Sequence, residues 1–561
     1  MAQTFTEVET PFSKMSFTPD VPPAALGANE YNTGENVETD TRGIRSVLGD
    51  EEILIQLSSA NGVVGTPIFV TSGYRDNAVF WYIVATVDTS GHGRWYAMND
   101  AGITNVTPGG SSAYLTNYTE NIPITDSWNG TTLFINDSEH PPMYLVADAA
   151  EFVPYSDDPL GPGYIWNYNP AWSSLRAGFM HLYSTPNVGS ILIAGNLEAT
   201  NASSGLVEKY PTTVRWSQAF GLNEGPTTWA PTLVNIANEV EVPVRGPVVD
   251  GFPMGGNFYV CSYWDTVIFS PINYQSTTAP VLGIRLLTQG RGLLNENCWA
   301  NADTMVYGLD ARDIWAFDGS NFKSIGNQRV KNYFYSNLSP SYSDRTFVIN
   351  NTSKNQIEIY YADLDSTGWP NRMLAYRYDL DIFQPPRDVN TASHATEGPI
   401  YGILADGSTE GFNDASRTIV YTRAVVDSYL VQKDRTFSFI NDAPIASRFR
   451  RDNISLGLTY SQQALLHRIL PEVVNIDQAG LQIDGVGNIT VTVGGVNSVG
   501  QNLTAGDKPV VTMAINTNNP WTQITQNAFR INSLELTNTS AVDAWQCTAV
   551  NWQFTPTEDS R

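Results

Sequence analysis

Val79-Phe-Trp-Tyr-Ile-Val-Ala-Thr-Val87 is apolar or β-branched at almost every position, and beyond the next turn comes Arg94-Trp-Tyr-Ala-Met-Asn-Asp-Ala-Gly-Ile103, an aromatic run ending in Asp and Gly. Runs this short, rich in aromatic and β-branched residues and cut by turn formers, read as strands rather than helices. The same texture continues from about residue 50 to about residue 430, as in Thr132-Leu-Phe-Ile135, Asn257-Phe-Tyr-Val-Cys-Ser-Tyr-Trp264 and Gln356-Ile-Glu-Ile-Tyr-Tyr361. A stretch of that length is more easily closed as a β-propeller, in four-stranded blades of about 40–50 residues, than stacked as one sandwich. Asp313-Ile-Trp-Ala-Phe-Asp-Gly-Ser320 repeats the strand-then-turn pattern, and Ile403-Leu-Ala-Asp-Gly-Ser408 is a fainter copy. Asp406 lies 88 positions beyond Asp318, room for two blades of about 44 residues.

Working outward, the two ends differ from the middle. Residues 1–50 carry scattered Pro and Gly, as in Phe17-Thr-Pro-Asp-Val-Pro-Pro23, and little apolar periodicity before Ile44. They are expected to form an extended arm, either disordered or laid across a neighbouring subunit. Residues 431–561 alternate cleanly: in Asn488-Ile-Thr-Val-Thr-Val493 the Ile and Val share one face and the Thr the other. Arg530-Ile-Asn-Ser-Leu-Glu-Leu536 and Trp545-Gln-Cys-Thr-Ala-Val-Asn-Trp-Gln-Phe554 behave alike, which predicts a C-terminal antiparallel β-sandwich. The expected fold class is therefore all-β: an N-terminal arm (1–50), a β-propeller (51–430) and a β-sandwich (431–561).

Charged residues make up only 16% of the 561-residue chain, against roughly 25% in an average soluble domain. They are also unbalanced, with 56 acidic side chains against 31 basic ones and a formal charge of −25. A protein that grips nucleic acid neutralises phosphates with clustered cations, so this balance argues against stable DNA binding and suits a wall past which a polyanion slides. The sequence opens without a basic and apolar leader, and no window reaches 18 apolar residues, so neither a secretion signal nor a spanning helix is expected. Cys261, Cys298 and Cys547 are far apart and read as buried free thiols.

Several central segments, taken together in their order and spacing, resemble one family. They are Tyr210-Pro-Thr-Thr-Val-Arg-Trp-Ser217, Pro226-Thr-Thr-Trp-Ala-Pro231, Gly246-Pro-Val-Val-Asp-Gly-Phe-Pro-Met-Gly-Gly256, Asp313-Ile-Trp-Ala-Phe-Asp-Gly319 and Lys323-Ser-Ile-Gly-Asn-Gln-Arg-Val-Lys-Asn-Tyr-Phe-Tyr335, continued by Arg345–Asn351, Gln356–Tyr361 and Met373–Asp379. This succession is similar to the nozzle, or tail tubular, proteins of short-tailed bacteriophages, best over about residues 170–390. The resemblance implies a virion protein made in the host cytoplasm. It implies a homo-oligomeric ring, hexameric in that family, beneath a portal and adaptor, with fibres or tip proteins attached, that holds packaged DNA back and conducts it during ejection. It marks Trp216, Ser217, Trp229, Asp250, Gly251, Trp315, Asp318, Gly319 and Arg329 as structural signature positions. Arg448, Arg450 and Arg451, the one compact cationic cluster, are expected at a subunit contact.

The residues offer little reactive chemistry. His92, His140, His181, His394 and His467 are dispersed, and neither H-E-x-x-H, G-x-S-x-G nor a phosphate-binding loop is present. No catalytic residue, cofactor or metal is expected, and the chain is read as a structural protein rather than an enzyme. Two other classes are weighed against it: a propeller-type glycan hydrolase or depolymerase using Asp363 and Asp365, since paired carboxylates flank the bond in such enzymes, and a receptor-binding tail fibre.

Overall fold

The computed structural model describes residues 5–558 apart from 76–78, 100, 111–114, 159–162, 187–188, 234, 273–281, 303, 404–408, 437–444, 459–461, 477–486, 497–509, 516–520, 525–527 and 540–543. Among the described residues the regular structure is nearly all strand, in many antiparallel sheets, with one α-helix at Lys331–Asn337 and a few single 3-10 turns. Asp406 and Gly407 of the faint repeat lie outside the described residues.

Seven sheets follow one another along residues 49–436. Their first strands are Thr66–Tyr74, Thr125–Asn129, Trp172–Thr185, Val248–Met254, Trp299–Ala302, Phe347–Asn351 and Ala392–Ile403. The first five sheets are four-stranded meanders, each strand paired antiparallel with the next in sequence, and the sixth adds the short strand Arg387–Asp388. Phe80–Val87 is buried along almost its whole length. A strand covered on both faces has no solvent side, which is why its sequence is a continuous apolar run rather than an alternation.

The first strands meet one another in turn. Thr71 donates to Asp126 at 2.5 Å, the Met180 N–H to Thr125 Oγ1 at 3.0 Å, and His181 meets Asp250 at 2.6 Å. Trp299 donates to Asp250 at 2.8 Å, Asn350 to the Asn301 carbonyl at 2.9 Å, and Phe347 packs on His394 with ring centres 5.1 Å apart. From the seventh sheet Thr396 returns to Ser72 of the first, at 2.8 Å.

The seventh sheet is built from both ends of this stretch. Its fourth strand is Gly49–Leu57, which pairs with Ser428–Thr436. Around that pairing lies a network of four cations and four anions, fully buried at Arg387, Asp50, Lys433 and Glu358 and partly buried at the others. Arg387 joins Asp50 at 2.5 Å and also Asp434; Lys433 pairs with Glu358; Lys354 bridges Glu38 at 2.9 Å and Asp434 at 2.8 Å; Arg45 reaches Glu38 at 2.5 Å. Glu358 also accepts from Asn351, Gln356 and Tyr360 at 2.6–2.7 Å. Desolvation alone would raise these carboxyls, but at three of them the adjoining cations outweigh it: Glu358 and Asp434 stay below the usual range and Glu38 falls to about 2, whereas at Asp50 burial prevails over Arg387 and keeps the carboxyl raised. A buried charge is tolerable when it is paired and hydrogen-bonded, as each of these is.

The expected N-terminal arm is not free. Thr6–Pro11 pairs with Trp545–Glu558, Thr33–Glu35 with Ser447–Ile454, and Ile44–Ser46 joins the same sheet as Thr6–Pro11. Two C-terminal sheets result, and their apolar faces share one core in which Val491, Leu534, Trp545 and Trp552 are fully buried. Phe12, Met15, Phe17 and Tyr31 enter that core as well. Each such side chain is worth about 1.5–3 kcal/mol once taken from water, enough to hold an irregular segment that local periodicity does not announce. The segment also ties the halves together: the Asp20 carboxylate accepts from the N–H groups of Asn332 and Tyr333 at 2.7 and 2.8 Å, and the Gln384 side chain exchanges hydrogen bonds with the Thr39 backbone.

Candidate functional site

Four first strands carry a β-bulge near their beginning, between Pro67 and Phe69, between Trp172 and Ser174, between Val248 and Asp250, and between Ala392 and His394. A bulge inserts one residue and re-aims the next side chain. Phe69, Asp250 and His394 thereby meet the other first strands along their shared inner side. Gly251 follows for a steric reason: a Cβ there would lie 2.7 Å from the Phe258 ring and 2.8 Å from the Tyr259 carbonyl.

Asp250 is the hub. Its carboxylate accepts from His181 Nε2 at 2.6 Å, Trp299 Nε1 at 2.8 Å, the Asn297 N–H at 3.1 Å and its neighbour Gly251 N–H at 2.8 Å. Burial alone would lower the His181 pKa, but the carboxylates of Asp250 and Asp126 overcome it and hold the imidazole above its ordinary value. Asp126 is raised by burial and steadied by the Thr71 hydroxyl, which in turn accepts from Trp128 Nε1 at 3.1 Å. A polar belt thus runs through the first five sheets. Across from it, burial drives His394 down to about 4. The neutral ring stacks on Phe69 at 4.2 Å, its Nδ1 2.9 Å from the Val70 carbonyl.

Two adjoining cavities follow this belt and share Asn297, Phe347 and His394 as wall. The inner one, about 240 Å³, is lined by Asp126, His181, Trp299 and neighbouring first-strand residues. The outer one, about 600 Å³, opens where Tyr263, Glu296, Arg345 and Trp369 come together. Burial pushes the Glu296 carboxyl up to about 7, with Asp250 and Asp344 adding to the effect. Arg345 is fixed over the Trp369 ring at 4.2 Å and donates to the Gly368 carbonyl at 2.8 Å. Among the described residues no group of three or more His, Cys, Asp or Glu side chains is placed to hold a metal ion.

The residues singled out in the sequence scatter over the fold. Trp216, Trp229 and Trp315 are buried; Trp216 donates to the Ile236 carbonyl at 2.6 Å, Trp229 stands edge-on to Trp166, and Trp315 donates to the Gly292 carbonyl. The Ser217 hydroxyl accepts from the Leu192 N–H at 3.0 Å. Asp318 accepts from the N–H groups of Ser320 and Asn321, and Gly319 has φ +91°, a hairpin turn that favours glycine. Arg329 is paired with Asp381 at 2.8 Å. Of the cationic cluster, Arg448 pairs with Glu535 and Arg450 with Asp452, whereas Arg451 is buried and so is not a surface for a neighbour. Strand alternation and a bulge after Arg451 split the three onto different environments. Asp363 is held by Arg372 at 3.1 Å and Asn371 at 2.8 Å, and Asp365 lies on an exposed loop. Cys261, Cys298 and Cys547 are free and buried.

Sequence reading missed Asp126, His181, Glu296 and His394 as one constellation. A charge inside an apolar strand, as in Val248-Val-Asp-Gly251, was the available signal; the bulges that aim it were not readable.

No family model matches the chain, and no curated protein matches it. Among solved structures it is similar to the computationally designed Ika8 protein (8% identity, TM-score 0.32, covering 68% of this chain and 100% of that one). It is also similar to an exo-β-1,3-galactanase from Phanerochaete chrysosporium solved with galactose (9% identity, TM-score 0.23, covering 77% and 95%). At these scores neither likeness carries an argument about fold or function.

Proposed function

We propose that the chain is a structural subunit of a phage tail nozzle, a seven-bladed β-propeller fused to a β-sandwich. Several copies, six by the family resemblance, close into a ring that continues the portal–adaptor channel, holds packaged DNA back and conducts it during ejection. The observation that carries this reading is how the charges are used. Among the described residues eighteen Lys and Arg side chains are in ion pairs with the chain's own carboxylates, and the sequence's surplus of 56 acids over 31 bases is left as a field that repels a polyanion.

The circuit of first-strand contacts supports the propeller. The belt of Asp126, His181, Asp250 and Trp299 occupies the axis that those strands surround, so a path for DNA lies between copies and not through one. Heterologous contacts of one chain with the next generate such a ring when the rotation closes. Mass measurement of the purified assembly with negative-stain imaging tests this: an annular multimer that docks to a portal–adaptor complex is expected, and a monomer or an elongated trimer overturns it.

A further inference from the structure

The outer axial cavity joins parts of the chain that are far apart in sequence. The 119–124 connection, Tyr263, the 294–297 connection, Ser343–Phe347, Trp369 and His394 all line it. Its volume of about 600 Å³ falls in the roughly 300–1,000 Å³ range of small-molecule sites. One wall is apolar, with Ile68, Phe69, Ile122 and Leu294, while the rim is polar.

Most polar groups of that rim already have partners. Arg345 is held by the Gly368 carbonyl and lies 3.8 Å from Glu120, Asp344 accepts from Asn121 at 3.1 Å, and Asn297 donates to the Ile124 carbonyl at 2.8 Å. Glu296 is different: its carboxyl meets no other side chain's hydrogen bond among the described residues, and the Tyr263 ring beside it is 40% exposed. A chain that needed only packing there would place an apolar residue at 296, because a half-buried carboxyl with no other side chain to bond carries a desolvation cost.

We infer that this cavity is a binding site for a neutral saccharide, with Glu296 and Tyr263 meeting the hydroxyls and the Ile122–Leu294 wall meeting the apolar face of the sugar ring. A sugar presents both surfaces at once, C–H groups on one face and donors and acceptors round the edge. A carboxyl poised near neutrality, as Glu296 is at about 7, both donates and accepts towards hydroxyls. A cation is the weaker candidate, because Arg345 already stands at the rim beside Glu120 and no trio of metal ligands is assembled among the described residues. The site is independent of the nozzle reading and stands or falls separately from ring formation.

Saturation-transfer NMR on the full-length protein tests it with glucose, galactose, mannose, N-acetylglucosamine, lactose and maltose, and with putrescine and Mg²⁺ as competitors. At least one sugar is expected to receive saturation from the wild type. Glu296→Leu and Tyr263→Ala are each expected to weaken binding at least tenfold while the far-UV spectrum and melting temperature hold. Asp365→Ala, on an exposed loop outside the cavity, leaves binding unchanged. No transfer to any of the six sugars, equal transfer in Glu296→Leu, or displacement by putrescine or Mg²⁺ at stoichiometric amounts overturns the proposal. Should Glu296→Leu fail to fold, Tyr263→Ala decides alone.

Discussion

The seam of the seventh sheet and the polar belt of the first strands both bury charge, yet they are built differently. At the seam, Arg387, Lys433, Lys354 and Arg45 meet Asp50, Asp434, Glu358 and Glu38 as complete ion pairs. In the belt, Asp250 gathers His181, Trp299 and the N–H groups of Asn297 and Gly251, and Asp126 takes the Thr71 hydroxyl. The seam joins segments that meet only after the whole middle of the chain is made, and paired charges penalise every mispairing. The belt joins successive sheets, where order in sequence already brings the partners near, and its contacts are hydrogen bonds to Asp126, Thr125 and Asp250 in place of a set of complete ion pairs.

Removing one member of a seam pair is the harshest test of this contrast. Lys433→Ala leaves Glu358 buried and uncompensated and is expected to cost about 3–5 kcal/mol in urea unfolding. The double variant Lys433→Met with Glu358→Leu removes both charges and should recover most of that loss; failure to recover would mean that the neighbouring hydrogen bonds, not the pair, hold the seam. Asp250→Ala strands several donors at once, at about 1–3 kcal/mol for each buried group left unsatisfied. The His181 imidazole resonance should then titrate at lower pH, which NMR reads directly.

The two regions should also fail at opposite ends of the pH scale. Glu38, Glu358 and Asp434 are lowered in the folded chain, so their contribution is present above the unfolded carboxyl value of about 4.3 and is lost as pH falls towards about 2, the folded value of Glu38. His181 is raised, so its contribution is complete below the unfolded value of about 6.5 and fades as pH rises through the folded one. Unfolding followed against pH in Asp250→Asn should lose the alkaline limb and keep the acid limb. The smallest effect belongs to the surface: Arg448→Ala, which removes the Glu535 pair, should change stability by about 0.2–1 kcal/mol.

The middle of the chain was legible because strands buried on both faces leave continuous apolar runs such as Phe80–Val87, and because Asp318-Gly319 forms the turn its residues favour. The N-terminal segment was not, since Phe12, Met15, Phe17 and Tyr31 follow neither a period of 2 nor of 3.6, and their partners lie hundreds of residues away. The site along the first strands was unreadable for a related reason. Asp126, His181, Asp250 and Glu296 are separated by whole sheets, and bulges set where Asp250 and His394 point.

Gly49–Leu57 is synthesised early but belongs to the last sheet, and Asp50 receives the Tyr421 hydroxyl only 371 residues later. At about 5–20 residues per second, that edge strand waits on the ribosome for roughly 20–75 s. Its acidic opening, Gly49-Asp-Glu-Glu52, gives the nascent strand a like-charged end that discourages pairing with another copy emerging from the same messenger.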